Sequence, residues 1–461
     1  MDIKNGLFLL CSGLCWIGCG EEPAQVIEKT PFERTGFLTH HDAAGGNGDD
    51  RGHGVSLDAN GKILITGMSQ NSQGDYDMVI WRFNPDGTLD SSFDGDGIGV
   101  YDNVAGGKTN GYGNDFAWAI ATDAEGRILV AGSGQNPTGN FDLVLLCVAS
   151  DGNLDLSFDG DGIVTHHAAA GGFRHDGASS LAVDSSGRIV VGGYSMNAAD
   201  NRDLAVWRFR SDGALDTTFG VRGFFVWNNP VSENGHEEGY NLRIDGAGRI
   251  VVAGYSSNSS GNNDMSLWRL NPDGTLDPCF GGTGYVLQHN VAGGNSDEEG
   301  WGVAVDSMER IVVTGYSHNP THLRDMVLWR FTADGILDSS FGTEGIVVSD
   351  GTAGGNDDGT SVWIDPQGRI WIAGDTQDAE GDYDMILRRF TPFGKPDLSF
   401  GAGGSVIHQA FPRATNYIND PWASTEPWAM AADPSGNVYL IGHGWAQTQT
   451  QDLLLWRYPG E

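Results

Sequence analysis

The chain has 461 residues with 61 acidic and 26 basic side chains, which gives a formal net charge of −35. This acidic balance disfavours nucleic-acid binding, because phosphates require a basic surface, and it favours cations or basic partners. Glycine is far more frequent than usual, with 70 residues, and no stretch has the periodicity of a long amphipathic helix. Many turns between short apolar runs predict an all-β protein.

The first residues have the pattern of an export signal. One lysine precedes an apolar run at residues 6–18, which is too short to cross a bilayer as a stable helix. The run resembles a bacterial lipoprotein signal in which Cys19, after the small residue Gly18, carries the lipid; an ordinary secretory signal cleaved nearby is the alternative. We expect a signal peptide at residues 1–19, a polar tether at 20–34, and a location in the cell envelope, as an outer-membrane lipoprotein or at the cell surface, or in the medium. The membrane is then contacted only through the lipid anchor.

A phrase of the type D-x-x-G-[RK]-I-V-V-A-G recurs seven times at intervals of 59–68 residues. Each unit contains four strand-like runs separated by turn residues. Four short antiparallel strands repeated seven times predict a seven-bladed β-propeller over residues 35–461, with a solenoid as the alternative. The phrase begins in the seven units at Asp58, Asp123, Asp184, Asp245, Asp306, Asp365 and Asp433.

The two ends of the repeat region favour a closed ring. The last unit stops after its third strand, "DLLLWRYPGE", whereas "TGFLTHHDAAGG" at Thr35 matches a fourth strand and its following loop. Pairing these ends leaves no open sheet edge, and a solenoid would gain nothing from this arrangement. The third strands repeat a tryptophan that we interpret as a packing residue: Trp81, Trp207, Trp268, Trp329 and Trp456.

The motifs "GRIVVAG", "DMSLWRLNPDGTLD" and "FGGTG" resemble those of delta-60 repeat proteins, a bacterial β-propeller family. The resemblance covers the chain from Thr35 to its C-terminus. It implies a propeller and an exported setting, but no defined activity and no catalytic residue. Leu146 and Arg388 depart from the pattern, since the other units have tryptophan there.

The loops between units end in acidic residues, and several units have two acids in succession. On a ring these carboxylates would surround the mouth of the channel, where like charges recruit a cation and hard oxygen ligands suit calcium. The alternative is that each acid caps a local turn through backbone N–H groups. The candidate calcium ligands are Glu237, Glu298, Glu299, Asp357 and Asp358.

Two breaks in the repeat are candidate ligand-binding features. Arg243 occupies a small-residue position of the innermost strand in the fourth unit, where it either binds an anionic ligand or neutralises the acidic ring. The longest inter-unit loop, residues 406–428, combines aromatic, amide and charged groups that suit a sugar or a protein hot spot. Phe411 and Trp428 are expected to pack this loop onto the propeller. The expected ligand contacts are Arg413, Tyr417, Asn419, Asp420 and Trp422.

No nucleophile elbow and no helical pair of metal-binding histidines occurs in the sequence. The predicted function is therefore non-enzymatic: a monomeric, envelope-tethered binding or scaffold propeller that recognises a glycan or a protein partner. The alternative is a calcium-dependent, lactonase-like hydrolase acting in the central channel. Calcium is the only cofactor that either prediction includes.

Overall fold

The computed structural model describes Phe32 and residues 36–111, 113–227, 229, 235–351, 354–379, 381–408, 425–445 and 450–459. These residues form seven four-stranded antiparallel sheets. The inner strand of every sheet contacts the inner strands of the sheets on both sides, so the seven sheets form a closed ring. The predicted seven-bladed propeller is confirmed and the solenoid is excluded.

Blades 1–7 are numbered in chain order of their inner strands. Blade 1 consists of β2 (Gly45–Leu57), β3 (Ile63–Asn71), β4 (Tyr76–Phe83) and β5 (Ile98–Tyr101), and blade 2 of β6 (Asp115–Thr122), β7 (Ile128–Gln135), β8 (Phe141–Val148) and β9 (Ile163–His166). Blade 3 consists of β10 (Gly171–Val183), β11 (Ile189–Asn197), β12 (Arg202–Phe209) and β13 (Phe224–Trp227), and blade 4 of β14 (Glu237–Ile244), β15 (Ile250–Ser257), β16 (Asn263–Leu270) and β17 (Tyr285–Gln288). Blade 5 consists of β18 (Glu298–Val305), β19 (Ile311–His318), β20 (Arg324–Phe331) and β21 (Ile346–Ser349), and blade 6 of β22 (Asp357–Ile364), β23 (Ile370–Gln377), β24 (Tyr383–Phe390) and β25 (Ser405–His408). Blade 7 consists of β26 (Thr425–Ala432), β27 (Val438–Trp445), β28 (Gln451–Tyr458) and the N-terminal strand β1 (Phe37–His40).

The core lies between the faces of adjacent blades. The tryptophans of the third strands are buried there, with Trp81, Trp207, Trp268 and Trp329 at 0% exposure and Trp456 at 5%, which confirms their packing role. Small residues are needed where inner strands approach one another. A Cβ on Gly302, for example, would lie 3.2 Å from the Cα of Ser361 in the next blade.

In blades 1, 3, 4 and 5, a buried arginine after the third-strand tryptophan links the blade to its neighbour. In blade 4, Arg269 pairs with Asp277 at 2.7 Å, lies 4.6 Å over the ring of Phe280, and donates to the carbonyl of Ala333 in blade 5. We call this arrangement the arginine clamp. Charge-assisted hydrogen bonds and ring stacking stabilise it in an environment that would otherwise disfavour the charge. Corresponding arginines, each with its aspartate and phenylalanine, are Arg82 (Asp90, Phe93), Arg208 (Asp216, Phe219), Arg330 (Asp338, Phe341) and Arg389 (Asp397, Phe400).

Blade 2 preserves the connection although Cys147 replaces the clamp arginine. Arg127, on the preceding hairpin, reaches Asp155 at 3.4 Å and donates to the carbonyl of Ser211 in blade 3 at 2.9 Å. A different arginine therefore makes the same link between blades.

Blade 7 is completed by the N-terminal part of the chain. β1 pairs with β28 in a register that sets Phe37 opposite Trp456. Arg457 lies 5.7 Å over the ring of Phe32, which replaces the clamp phenylalanine of the other blades. Phe32, placed in the tether by the sequence analysis, is only 8% exposed. The predicted closure of the ring by the N-terminal strand is thus consistent with the observed sheet.

The described residues contain one short 3₁₀ helix, Gly107–Asn110. None of their helices is long and apolar enough to cross a membrane.

Ring closure makes a testable prediction about the N-terminal segment. Deleting residues 1–42 removes β1 and Phe32, exposes the edge of β28, and should lower the free energy of unfolding by about 3 kcal/mol or more, since two or three large apolar side chains lose their burial. Chemical denaturation measures the change. A control lacking only residues 1–31 retains both elements and should keep most of its stability. Equal stability of the two truncated proteins would contradict closure by this strand.

Candidate functional site

A cavity of about 700 Å³ occupies the end of the channel where the inner strands begin. Every blade contributes side chains to its lining. A concave site of this size suits a small ligand or part of a larger one.

A β-bulge recurs near the start of each inner strand. In blade 4 the register between β14 and β15 shifts between Gly239 and Asn241, which leaves Tyr240 without a cross-strand partner. Bulges turn side chains out of the regular alternation. All seven bulge residues line the cavity, and we call them the bulge ring: His53, Trp118, Ser179, Tyr240, Trp301, Thr360 and Trp428.

One side of the cavity is an aromatic wall formed by His53, Trp118 and Trp428 of blades 1, 2 and 7. His53 stacks on Trp118 with ring centroids 4.3 Å apart, and Trp428 meets His53 edge-on at 5.1 Å. Burial lowers the pKa of His53 to about 3, so its ring is neutral near pH 7. Trp428 remains 39% exposed. The wall offers apolar ring faces to whatever enters the cavity.

The opposite side carries an acid–arginine network, which we define as Arg202, Glu238, Arg324, Asp358 and Asp375. In each of its ion pairs, the arginine is the first residue of a third strand and the carboxylate lies on the inner strand of the next blade. Arg202 contacts Glu238 at 2.6 Å, and Arg324 contacts Asp358 at 2.9 Å. Both carboxylates are buried, so their arginines offset much of the cost of placing charge there.

Aromatic rings support the two arginines. The guanidinium of Arg202 lies 4.5 Å over the ring of Tyr194, and that of Arg324 lies 5.3 Å over Tyr316. Glu299, next to this network, accepts hydrogen bonds from Asn263 at 2.8 Å and from the indole of Trp301 at 2.9 Å. The polar side of the cavity is therefore held in a fixed arrangement.

Asp358 and Asp375 form a buried carboxyl pair at the network's centre. They are direct cross-strand partners, and one oxygen of each is buried without a hydrogen-bond donor among the described residues. Burial, together with the neighbouring Asp357 and Glu299, raises the pKa of Asp358 to about 7, although Arg324 opposes this shift. Burial and the charge of Asp358 raise the pKa of Asp375 well above its usual range. Two like charges this close cannot both remain ionised at low cost, so the pair retains a proton near neutral pH.

The structure separates the predicted calcium ligands into two groups. Glu237, Glu298 and Asp357 are the first acids of their loops, and they accept local hydrogen bonds. Glu298 accepts from Ser317 at 2.5 Å, and Asp357 accepts from the backbone N–H of Gly351 at 2.6 Å. This geometry matches the turn-capping alternative for the first acids.

The second acids, Glu299 and Asp358, are instead held by donors beside the cavity. Among the described residues no group of three or more His, Cys, Asp or Glu side chains is arranged to hold a metal ion. Calcium binding stays a prediction.

Arg243 lies in the cavity lining, as its position on the inner strand predicts. Other predicted residues fall outside the described part of the chain, namely Cys19, Arg413, Tyr417, Asn419, Asp420 and Trp422. Phe411 is also outside it. Trp428 belongs to the bulge ring and lines the cavity, and its expected packing against the long loop involves residues outside the described part of the chain.

Sequence reasoning missed the bulge ring and most of the acid–arginine network. A signal for the ring was present, since its members all lie five residues before the repeated aspartate. The interpretation of the inner strand assumed unbroken alternation, which a bulge interrupts. Asp375 also had a signal, because it replaces the tyrosine of "AGYS" or "TGYS" in other repeats.

Five segments of the chain match the family model described as "Domain of unknown function (DUF5122) beta-propeller", namely residues 59–93, 124–158, 185–219, 248–280 and 366–400. Together they cover less than half of the chain. Four end at the clamp phenylalanine of their blade, and the fifth ends at the equivalent Phe158 of blade 2. This chain is a β-propeller repeat protein. Its narrower resemblance to delta-60 repeats stays a prediction.

Several solved structures are similar to this chain at low sequence identity. A polysaccharide lyase of family PL25, an ulvan lyase bound to -[GlcA(1-4)Rha3S]-, is 12% identical, with 90% of this chain and 94% of that one covered and a TM-score of 0.48. A protein of unknown function from Dyadobacter fermentans is 12% identical, with 74% and 93% covered and a TM-score of 0.42. A gluconolactonase from Xanthomonas campestris is 13% identical, with 92% and 89% covered and a TM-score of 0.34. No curated protein matches the chain.

The carboxyl pair makes the stability of the repeat protein depend on pH. Because the pKa of each acid is raised in the folded state, its stabilising contribution is complete below the unfolded value near 4 and is lost as pH rises through the folded value, which for Asp358 is about 7. Asp375→Asn removes one of the two charges and should raise the melting temperature more at pH 8 than at pH 5.5. The exposed Asp334→Asn should change it little at either pH. An equal effect of Asp375→Asn at both pH values would contradict a shared proton.

Proposed function

We propose that this propeller binds a carbohydrate in the cavity at its channel mouth, without chemically altering it. The observation that supports the proposal is the division of one cavity into an aromatic wall and an acid–arginine network. Sugars present an apolar face of C–H groups and an edge of hydroxyl groups. A site with ring faces on one side and fixed hydrogen-bonding groups on the other matches both.

The aromatic wall supports this proposal because its rings are already positioned. Trp118 lies 5.9 Å from Trp428, and His53 fills the angle between them. Rigid aromatic groups lose little conformational entropy on binding, so they contribute strongly to affinity.

The acid–arginine network on the opposite side of the cavity also supports carbohydrate binding. Carboxylates and guanidinium groups held by one another keep unused hydrogen-bonding capacity toward the cavity. Sugar hydroxyl groups both donate and accept, and therefore suit such a mixed surface. A protein partner remains the second class of ligand, since the same aromatic groups suit an inserted hot-spot side chain.

The setting of this binding activity is part of the proposal. Export, lipid attachment at Cys19 and a place in the cell envelope would put the cavity in contact with extracellular polysaccharides. The long loop with Arg413, Tyr417, Asn419, Asp420 and Trp422 precedes the strand that bears Trp428. We propose that it extends the same site.

Removing an aromatic ring tests carbohydrate binding. Trp118→Ala should weaken the affinity for a glycan selected from an array by about 1–3 kcal/mol, or about 5- to 150-fold, because it removes a central stacking surface. Isothermal titration calorimetry measures the change. Phe393→Ala is the matched control, since Phe393 is 63% exposed in a turn outside the cavity.

The same titration separates the cavity from the long loop. The double variant Tyr417→Ala and Trp422→Ala should weaken binding if the loop extends the site. Full affinity in the Trp118 variant, together with loss of binding in the loop variant, would refute the cavity as the main site.

The alternative function is a calcium-dependent, lactonase-like hydrolase in the channel. The carboxyl pair favours it, because a protonated acid beside a cavity can donate a proton to a leaving group. Release of product from lactone or glycan substrates by the purified protein would distinguish hydrolysis from binding.

Weak calcium binding is proposed for the second acids. Millimolar calcium should raise the melting temperature, since it binds the folded state, and Glu299→Gln with Asp358→Asn should abolish the rise. The control combines Glu298→Gln with Asp357→Asn, which should lower stability through lost turn caps but keep the calcium response. A wild-type protein whose melting temperature ignores calcium would rule this out.

A further inference from the structure

The inner end of the cavity contains a cation that forms no ion pair with the residues that the structure describes. One residue of each inner strand forms a ring of mostly small side chains there: Ser56, Ala121, Ala182, Arg243, Ala304, Trp363 and Ala431. Trp363 packs against Trp371, with ring centroids 6.1 Å apart. Arg243 is the member of this ring that reaches the cavity.

The hydrogen bonds of Arg243 fix its orientation and leave one edge free. Its Nη1 donates to the side chain of Asn241 and to the carbonyl of Leu242, both at 2.8 Å. Among the described residues, no group accepts a hydrogen bond from Nε or Nη2, and no carboxylate lies within ion-pairing distance. Arg243 is exposed to solvent within the cavity, and its guanidinium stays protonated at any physiological pH.

This isolation distinguishes Arg243 from the other arginines of the cavity. Arg202 and Arg324 each have a buried carboxylate partner, and both lie over tyrosine rings. The sequence left open whether Arg243 neutralises the acidic ring. The structure pairs the acids of the network with Arg202 and Arg324 instead. Arg243 is therefore available to an incoming group.

We propose that Arg243 binds the carboxylate of a uronic acid residue in the carbohydrate ligand. The free Nε and Nη2 groups form the edge that donates two parallel hydrogen bonds to a carboxylate. Tyr240 of the bulge ring lies three residues before Arg243 on β14, a distance of roughly 10 Å along a strand. A disaccharide spans this distance, with one sugar at the level of the bulge ring and the uronate at the inner end.

The surrounding charges permit an anionic ligand. Arg202 and Arg324 offset Glu238 and Asp358, whereas Glu426, which also lines the cavity, lies on the same strand as Trp428 and 3.6 Å from His443. The remaining negative charge of the chain is screened at physiological ionic strength over about 8 Å. The positive charge of Arg243 then attracts the carboxylate of the ligand to the inner end of the site.

This inference rests on the proposed carbohydrate site, and its test separates the two. The affinities of three ligand sets are compared by titration. They are oligosaccharides that contain a uronate, the same oligosaccharides with the carboxyl group reduced to an alcohol, and neutral oligosaccharides that carry sulfate. The wild type should bind the uronate form at least 10-fold more tightly than the reduced form. Arg243→Gln should lower this ratio to about 1, and Arg243→Lys should leave an intermediate ratio because an ammonium group lacks the planar edge.

The surface variant Arg210→Gln is the control and should keep the wild-type ratio. The melting temperature of Arg243→Gln should stay close to that of the wild type, since the side chain is exposed to solvent and has no ion pair among the described residues. A wild type that binds uronate and reduced forms equally, or prefers the sulfated form, would overturn the proposal. So would a uronate preference that survives in Arg243→Gln.

A second measurement does not depend on the aromatic wall. The side-chain Nε–H resonance of Arg243, assigned by its loss in Arg243→Gln, is followed by NMR during titration with glucuronate and with glucose. A shift of this resonance with glucuronate but not with glucose supports the anion site. It does so even if Trp118→Ala leaves oligosaccharide binding unchanged, because that result would contradict only the proposed stacking. No shift with glucuronate overturns the anion site whatever the oligosaccharides do.

Discussion

The closed ring depends on the arginine clamp between neighbouring blades. Each clamp arginine is buried beside a tryptophan, yet it pairs with an aspartate, lies on a phenylalanine ring and, in blades 1, 3, 4 and 5, donates to a carbonyl of the next blade. A buried ion pair alone adds little stability, because desolvation offsets the attraction. The additional inter-blade hydrogen bond supplies what an apolar contact lacks, namely a fixed position for one blade against another. Blade 2 retains that bond through Arg127 even though the usual arginine is absent.

The clamps lie in the outer part of the blades, so the inner strands do not provide these links between blades. Their seven bulges direct one side chain each toward the channel, and these residues differ from blade to blade. The aromatic wall comes from blades 1, 2 and 7, whereas blades 3 to 6 supply the paired charges together with further rings such as Tyr240 and Trp301. A scaffold with near-sevenfold symmetry thus presents a cavity with two unlike sides. Such a cavity favours one asymmetric ligand over a ligand that repeats around the axis.

The fold was predictable because its signals are local and periodic. The spacing of the repeated phrase, the tight hairpins and the complementary ends each follow from neighbouring residues along the chain. The site was less predictable, because its contacts join residues of different blades. Arg202 and Glu238, for example, are 36 residues apart and meet only when adjacent blades pack. The bulge adds a one-residue shift, which decides whether an inner-strand side chain faces the channel or the blade core.

The acidic loops show how much depends on that single residue. Glu298 and Glu299 are adjacent, have the same chemistry and looked equivalent as ligands. In the structure Glu298 turns toward its own loop and accepts from Ser317, whereas Glu299 turns toward the channel and accepts from Trp301. Alternation along a strand sends neighbours to opposite faces, so consecutive acids cannot act as one chelating pair. The first acid stabilises the loop that the second needs in order to be held at the cavity, which explains why both positions are acidic in three consecutive blades without a shared ligand.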